Sequence, residues 1–285
     1  LNNLPTAPQP TTWQRMGEDV LWNGFAFTMT DVNGGYVNRG IGLNASDPNP
    51  TTDVPLFDNK SFVYDGVSDS IAIGTTSLGI TNQISVSAWF KTTTTGSQDV
   101  IVCQDTTGTG NRNWLLIHNQ SNLISFAIWN TNGSVTGVPS TSSYNDGQWH
   151  HAMGTYDGTA NTNGMKLYID GVLNAQGTTS STGILSTLSV EPTIGSATNG
   201  LTWHFNGSIN DVSVFNTELS QSDVTTIFNG GIANDISSLN PLSYWRSEFA
   251  TWDGSNWTMI DQGSGANNGL TSSMPLTSRT SDVPT

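Results

Sequence analysis

The side chains best able to do chemistry are few. They are two adjacent histidines, His150 and His151, one cysteine, Cys103, and five aspartates at turn-like positions: Asp65, Asp69, Asp105, Asp157 and Asp211. Neighbours along a strand face opposite ways, so His150 and His151 cannot share a metal ion, and one of them is expected to be a packed or hydrogen-bonded structural residue. His118 and His204 stand apart, and no serine sits in a nucleophile turn, so a Ser-His-Asp triad finds no support. Cys103, inside DVIVCQD, suits a small core residue, and being alone it makes neither an intrachain disulfide nor a cysteine zinc site. Each aspartate suits a hydrogen-bonded turn better than a metal ligand. Aromatic rings remain. Trp114, Trp129 and Trp203 border the polar stretches NRNW, WNTNG and NGLTWHFNG. With Asn132 and Asn199 beside them they are the candidate platform for a sugar, weighed against ordinary burial in strands.

The elements that must position these residues read as short strands. Ser61–Gly74 reads as strand, Asp65-Gly66 turn, strand. In Ile84–Lys91 the residues Ile84, Val86, Ala88 and Phe90 point inward, with Trp89 opposite. Asp99–Asp105, Trp114–His118, Asn122–Asn130, Trp149–Tyr156, Met165–Ile169 and Val172–Ala175 follow, the last after an Asp170-Gly171 turn. In Ser208–Phe215 alternation puts Ile209, Asp211, Ser213 and Phe215 on one face, with Val212 and Val214 making the other apolar too. One helix is expected, opened by Ser220 as N-cap with Asp223 three residues on and closed by Gly230.

Composition agrees with strands and tight turns: 30 glycines and only 11% charged residues. Ten Trp and ten Phe supply the apolar area that a disordered chain lacks. The net charge is −14, from 22 acidic and 8 basic residues, which excludes a phosphate-tracking surface and disfavours anionic membranes. No run of 18 apolar residues is present, so no helical span or membrane insertion is expected. The sequence starts at Leu1 without a recognisable signal peptide, and a processed chain or part of a longer one is expected.

The two ends of the chain resemble each other. Trp22, Gly24, Thr28, Met29 and Asp31 each recur 230 residues later as Trp252, Gly254, Thr258, Met259 and Asp261. Asp53-Val-Pro and Asp282-Val-Pro follow 229 residues apart. The expected layout is a flanking segment (1–55), a sandwich (56–230) and a second flanking segment (231–285). Both flanks are too small for a secure core of their own and are expected to pack on the sandwich.

GQWHHAMGTYDG (147–158), then KLYIDG (166–171), then FNGSINDVSVFNTELSQSDV (205–224), in that order, resembles the laminin-G/concanavalin A-like family over about 56–230. The resemblance implies an all-β fold: a concanavalin A-like jelly-roll sandwich of two antiparallel sheets with one short helix near 220–229. Retaining glucanases of that fold carry Glu-x-Asp-x-x-Glu on one strand, which none of Glu18, Glu191, Glu218 and Glu248 begins, so no enzyme is expected. Many relatives bind calcium at the rim. Where the pentraxin branch has its acidic cluster this chain reads Ser196-Ala-Thr-Asn199, so calcium is left without a clear ligand set and no cofactor is assigned. The flanks resemble segments bordering such domains in marine phage virion proteins. That implies a homo-oligomeric structural or adhesive module in a virion or other extracellular assembly, a fibre or a capsid decoration. Its partners would be other assembly subunits and a host-surface glycan. The alternative is a secreted or cell-surface bacterial carbohydrate-binding protein.

Overall fold

The computed structural model describes residues 18–22, 27–31 and 60–285, apart from 76, 107–110, 131–134, 160–162, 178–188 and 198–199. Two compact units are present, Leu1–Leu56 and Phe57–Thr285. The first contributes an antiparallel hairpin, β1 (Glu18–Trp22) and β2 (Phe27–Asp31), with Trp22 opposite Phe27. Most of the 1–55 flank lies outside the described residues.

The second unit is a sandwich of two antiparallel sheets. Among the described residues one sheet runs in the order β12 (Val172–Gly177), β11 (Met165–Ile169), β10 (His150–Tyr156), β5 (Ile84–Lys91), β14 (Asn206–Phe215), β3 (Ser61–Asp65) and β19 (Arg279–Thr280). β15 (Ser243–Trp245) also pairs with β14 in this sheet. The facing sheet runs β16 (Thr251–Trp252), β17 (Trp257–Met259), β18 (Gly269–Ser272), β4 (Ser70–Ile73), β13 (Thr193–Ile194), β6 (Asp99–Thr106), β7 (Asn111–His118), β8 (Leu123–Trp129) and β9 (Val135–Ser143). The inner faces meet in one apolar core that includes Tyr64, Phe90, Trp114, Phe126, Phe205 and Trp245. The jelly-roll sandwich expected from the sequence is the fold.

The alternation in β5 holds: Ile84, Val86, Ala88 and Phe90 enter the core, while Trp89 turns outward. In β14 the simple alternation fails. Its pairing with β5 slips between Asn210 and Ser213, and Asp211 takes a left-handed backbone, φ 43°. That bulge reverses the phase. Ile209, Val212 and Val214 therefore all point inward, and Phe215 joins a second apolar group on the outer face.

The outer group is covered by α1 (Gln221–Phe228), which buries Val224 and Ile227 against Met153, Tyr168 and Phe215. Its start is the capping box read from Ser220 and Asp223, each side chain bonded to the other's backbone N–H. Its end differs from expectation by one residue. Asn229, not Gly230, takes the left-handed cap position at φ 48°, and Gly230 follows at φ 67°.

Residues 231–285 supply strands to both sheets. After α1 the chain adds β15 to β14, crosses to lay β16, β17 and β18 beside β4, then returns as β19 beside β3. Trp245 is fully buried, Trp257 meets Phe62 edge-on at 5.6 Å between ring centroids, and Met259 and Met274 fill the same core.

Candidate functional site

Trp129 and Trp203, distant in sequence, meet on the outer face of the nine-stranded sheet. Both pack on a buried apolar floor of Val100, Cys103, Leu115, Ile117, Ala127 and Ala197. Between them lies Arg112. Its guanidinium carbon sits 4.0 Å from the Trp129 ring centroid and 5.7 Å from that of Trp203. Both indoles remain partly exposed.

Arg112 is held from behind. Its Nε donates to both oxygens of Asp105, at 2.8 and 3.0 Å, and its Nη2 donates to Oδ2 at 2.7 Å. The Asp105 side chain is fully buried and that of Arg112 is 25% exposed. Burial raises the Asp105 carboxyl above its usual range, and the Arg112 charge offsets only part of that. A bidentate pair of this kind fixes the plane of the guanidinium, and hence the spacing between the two rings.

A bulge explains why Arg112 is on this face. Gln104 stands opposite Trp114 and Asp105 opposite Arg112, so Asn113 is an extra residue in β7. Without it Arg112 and Trp114 would share a face. With it Arg112 points outward and Trp114 inward.

Trp114 is accordingly a correction to the sequence reading. It is 1% exposed in the core and has no face to offer a ligand. Asn132 and Asn199 lie outside the described residues. Arg112 was missed altogether, because NRNW reads as a polar loop until its partner strand is known.

Trp203 is positioned by the described residues 195–197 and 200–205 between β13 and β14. Val100 N–H donates to Trp203 C=O at 2.9 Å and Gly195 N–H to Ile101 C=O at 2.9 Å, pinning the loop to β6. Ala197 N–H bonds Thr202 C=O at 2.8 Å across its neck. Gly195 is required here: φ is 80°, and a Cβ would lie 2.2 Å from Tyr64 Cε1. Trp203 itself has φ 54°, a conformation that costs a bulky residue energy and is tolerated where surrounding bonds impose it.

The remaining chemistry-bearing residues are engaged, Cys103 in the floor of this patch and the others away from it. Cys103 is buried with its Sγ near Ser196 C=O and Thr193 Oγ1, and burial pushes its thiol up to about 12. His151 Nε2 is 2.7 Å from Ser87 Oγ, but both residues are buried beneath Trp89 and Phe228, and burial holds the imidazole down at about 4. Asp170, which would be the third member of a triad, bonds His150 Nδ1 instead, at 2.8 Å. His118 is not isolated, since its Nδ1 is 3.4 Å from Asp99 Oδ2.

Asp65 and Asp69 face each other across the β3–β4 turn. Asp65 is partly desolvated, yet three backbone N–H donors, from Ser68, Val67 and Asp69, hold its carboxyl down at about 2. Burial, then the Asp65 charge, raises Asp69 to about 6. Asp157 caps its own turn at Thr159. Among the described residues no three His, Cys, Asp or Glu side chains converge on a point that could hold a metal ion. Among the described residues Asp65, Asp69 and Asp157 are engaged with turns, Asp105 with Arg112, and Asp211 lies beside Tyr244 and Arg246.

A family model described as the Concanavalin A-like lectin/glucanases superfamily matches residues 65–225, more than half of the sequence. The chain belongs to that superfamily. Among solved structures, a protein from Bacteroides ovatus ATCC 8483, provisionally described as carbohydrate binding, superposes with a TM-score of 0.59 at 17% identity, over 79% of this chain. This chain spans 61% of that protein's length. A CBM40 from the Ruminococcus gnavus IT-sialidase gives 0.47 at 15% identity, over 59% of this chain and 97% of its own. A heptameric SAP-like pentraxin from Limulus polyphemus gives 0.48 at 13%, over 74% of this chain and 98% of its own. At these identities the first likeness is one of fold. No curated protein matches the sequence. Among the described residues no helix is long and apolar enough to cross a membrane.

Proposed function

We propose that this lectin-superfamily chain is a non-enzymatic glycan-binding module, and that the Trp129–Arg112–Trp203 patch is where it binds. The observation that carries the reading is the two part-exposed indoles set around a guanidinium locked by a buried carboxylate. The part-exposed indoles offer apolar surface to the C–H face of a pyranose, and the fixed guanidinium supplies a directed donor to ring or hydroxyl oxygens. Because Asp105 neutralises Arg112, the patch carries no net positive charge for an anionic sugar. The whole chain, at −14, repels one. The ligand class that fits is a neutral hexose-containing glycan.

A single shallow patch of this kind binds weakly, and useful adhesion follows from repetition. An extracellular assembly that displays many copies, such as a phage fibre or capsid decoration, converts weak contacts into avidity. The repeated flanking segments support that setting. The alternative, a secreted or cell-surface bacterial lectin, shares the same patch, and mass spectrometry of purified virions against culture medium separates the two.

The patch is tested by a glycan array followed by calorimetry on wild type, Trp129→Ala and Trp203→Ala. Neutral glycans are expected to bind, and each substitution to weaken binding about tenfold or more, equivalent to about 1.4 kcal/mol. Binding confined to sialylated or sulfated glycans, or unchanged in both variants, would refute the assignment.

A further inference from the structure

The repeat in the sequence and the two hairpins in the structure coincide in register at the two residue pairs they share. Trp22 pairs with Phe27 and Leu21 with Thr28, as Trp252 pairs with Trp257 and Thr251 with Thr258. The 230-residue offset that aligns Trp22, Gly24, Thr28, Met29 and Asp31 with their counterparts thus also aligns the two registers. A slip of one residue would have put every side chain on the other face, so Trp22 and Thr28 occupy the backbone positions of Trp252 and Thr258.

Within residues 57–285 the work of the retained residues is visible. Met259 is 3% exposed in the core. The Asp261 carboxylate gathers three amides, from Tyr244 at 2.8 Å, Gly263 at 2.8 Å and Asn267 at 2.7 Å, and so turns the chain from β17 into β18. Gly269 lets β18 lie against β4, since a Cβ there would stand 2.6 Å from Ile71 Cγ2. The amino-terminal copy keeps Met29 and Asp31. It also keeps Asn38 and Gly40, which precede Asn267 and Gly269 by 229 residues, the offset of the two Asp-Val-Pro tripeptides.

In the carboxy-terminal copy these residues serve docking on a sandwich. A two-stranded hairpin by itself is marginal in water, and Met29 and Asp31 repeat the residues that build the second hairpin into its sandwich. Yet the β4 edge of this chain's own sandwich is already occupied by its own β18. We propose that the amino-terminal hairpin is a second closing strap, built to complete the β4 edge of another concanavalin A-like sandwich. The partner is a sandwich of the same kind without a closing segment of its own. It is recognised by an open β4 edge and by the apolar rim that Phe62 and Ile73 leave when nothing covers them.

Two measurements on the full chain test this. In the first, residues 251–261 are replaced by the sequence of 21–31, with Trp257→Phe alone as control. If the two straps are equivalent, the graft melts cooperatively within about 5 °C of the control. A graft that loses its cooperative melt while the control keeps it overturns the proposal. In the second, Met259→Asp disables the resident strap and creates the open partner, and Met29→Asp is then added. Met29→Asp is expected to be silent in the wild-type chain and to lower the melting temperature by about 5 °C or more in the Met259→Asp background. Size-exclusion chromatography shows whether the rescuing strap comes from the same copy or a second one, and either supports the strap. Met29→Asp silent in both backgrounds overturns it, even if the graft folds.

Discussion

Replacing Arg112 by alanine leaves the Asp105 carboxylate fully buried with three charge-assisted hydrogen bonds gone. Breaking one side of a buried pair costs about 3–5 kcal/mol. The lower end applies, because a quarter of the Arg112 side chain is open to solvent and water can reach part of the gap. Loss of the guanidinium from the Trp129 face, about 1 kcal/mol, is contained within that figure. In a domain of this size about 3 kcal/mol corresponds to a melting-temperature drop of about 6–12 °C.

The orphaned charge is what makes the substitution costly, and two further measurements isolate it. The double variant Asp105→Ala/Arg112→Ala removes the orphan and is expected to recover about 2 kcal/mol relative to Arg112→Ala alone. Burial already raises the Asp105 carboxyl, and removing Arg112 raises it further. A group whose folded pKa lies above its unfolded value loses its contribution as pH rises through the folded value. The deficit of Arg112→Ala should therefore shrink between a neutral and an acidic pH, as Asp105 takes up a proton. Urea titrations of the three proteins at both pH values provide the comparison. If the double variant is no more stable than the single, or the deficit grows on acidification, the pairing argument is wrong.

Asp211 is buried in the β14 bulge near Arg246, Glu248 and Tyr244, and burial first, with the Glu248 charge second among the raising influences, lifts it to about 7. Its stabilising contribution is present in acid and lost as pH rises from about 4 through about 7, so Asp211→Asn should raise the melting temperature near pH 8 and make no difference near pH 4. An equal shift at both pH values would show that the carboxyl does not titrate in this window. Gly154→Ala puts a Cβ 2.1 Å from Phe126 Cγ, and the expected cost is about 1–3 kcal/mol by urea titration, partly relieved by adding Phe126→Leu. An unchanged midpoint in Gly154→Ala would mean that the sheets are not in contact there. Ser220→Ala removes one side of the α1 capping box and should cost about 1 kcal/mol, with faster amide exchange confined to the first turn.

The period-2 pattern of β5, the Asp-Gly turns and the Ser220–Asp223 cap were legible in the sequence because each is local: a few adjacent residues carry the whole signal. Repeated signals of this kind pointed to a two-sheet sandwich, and the resemblance of three ordered motifs to a known family made it a jelly roll. Legible too was the recurrence of Trp, Thr, Met and Asp at one offset, though not that its carboxy-terminal copy threads both sheets. The strands of that copy are two to four residues long. So short a strand exists only because a neighbour pairs with it, and nothing in its own residues announces it.

The candidate site shows the division most clearly. Trp129 and Trp203 could be named from their polar neighbours, but Trp114 was named on the same grounds and is core. What separates them is the extra residue Asn113 opposite Gln104 and Asp105, which turns Arg112 outward and Trp114 inward. A bulge is a property of two paired strands. The sequence by itself determined which residue types were present and most of the elements that carry them. Only the pairing of β6 with β7, and the loop that brings Trp203 over β6, decided which of those residues face one another and which face water.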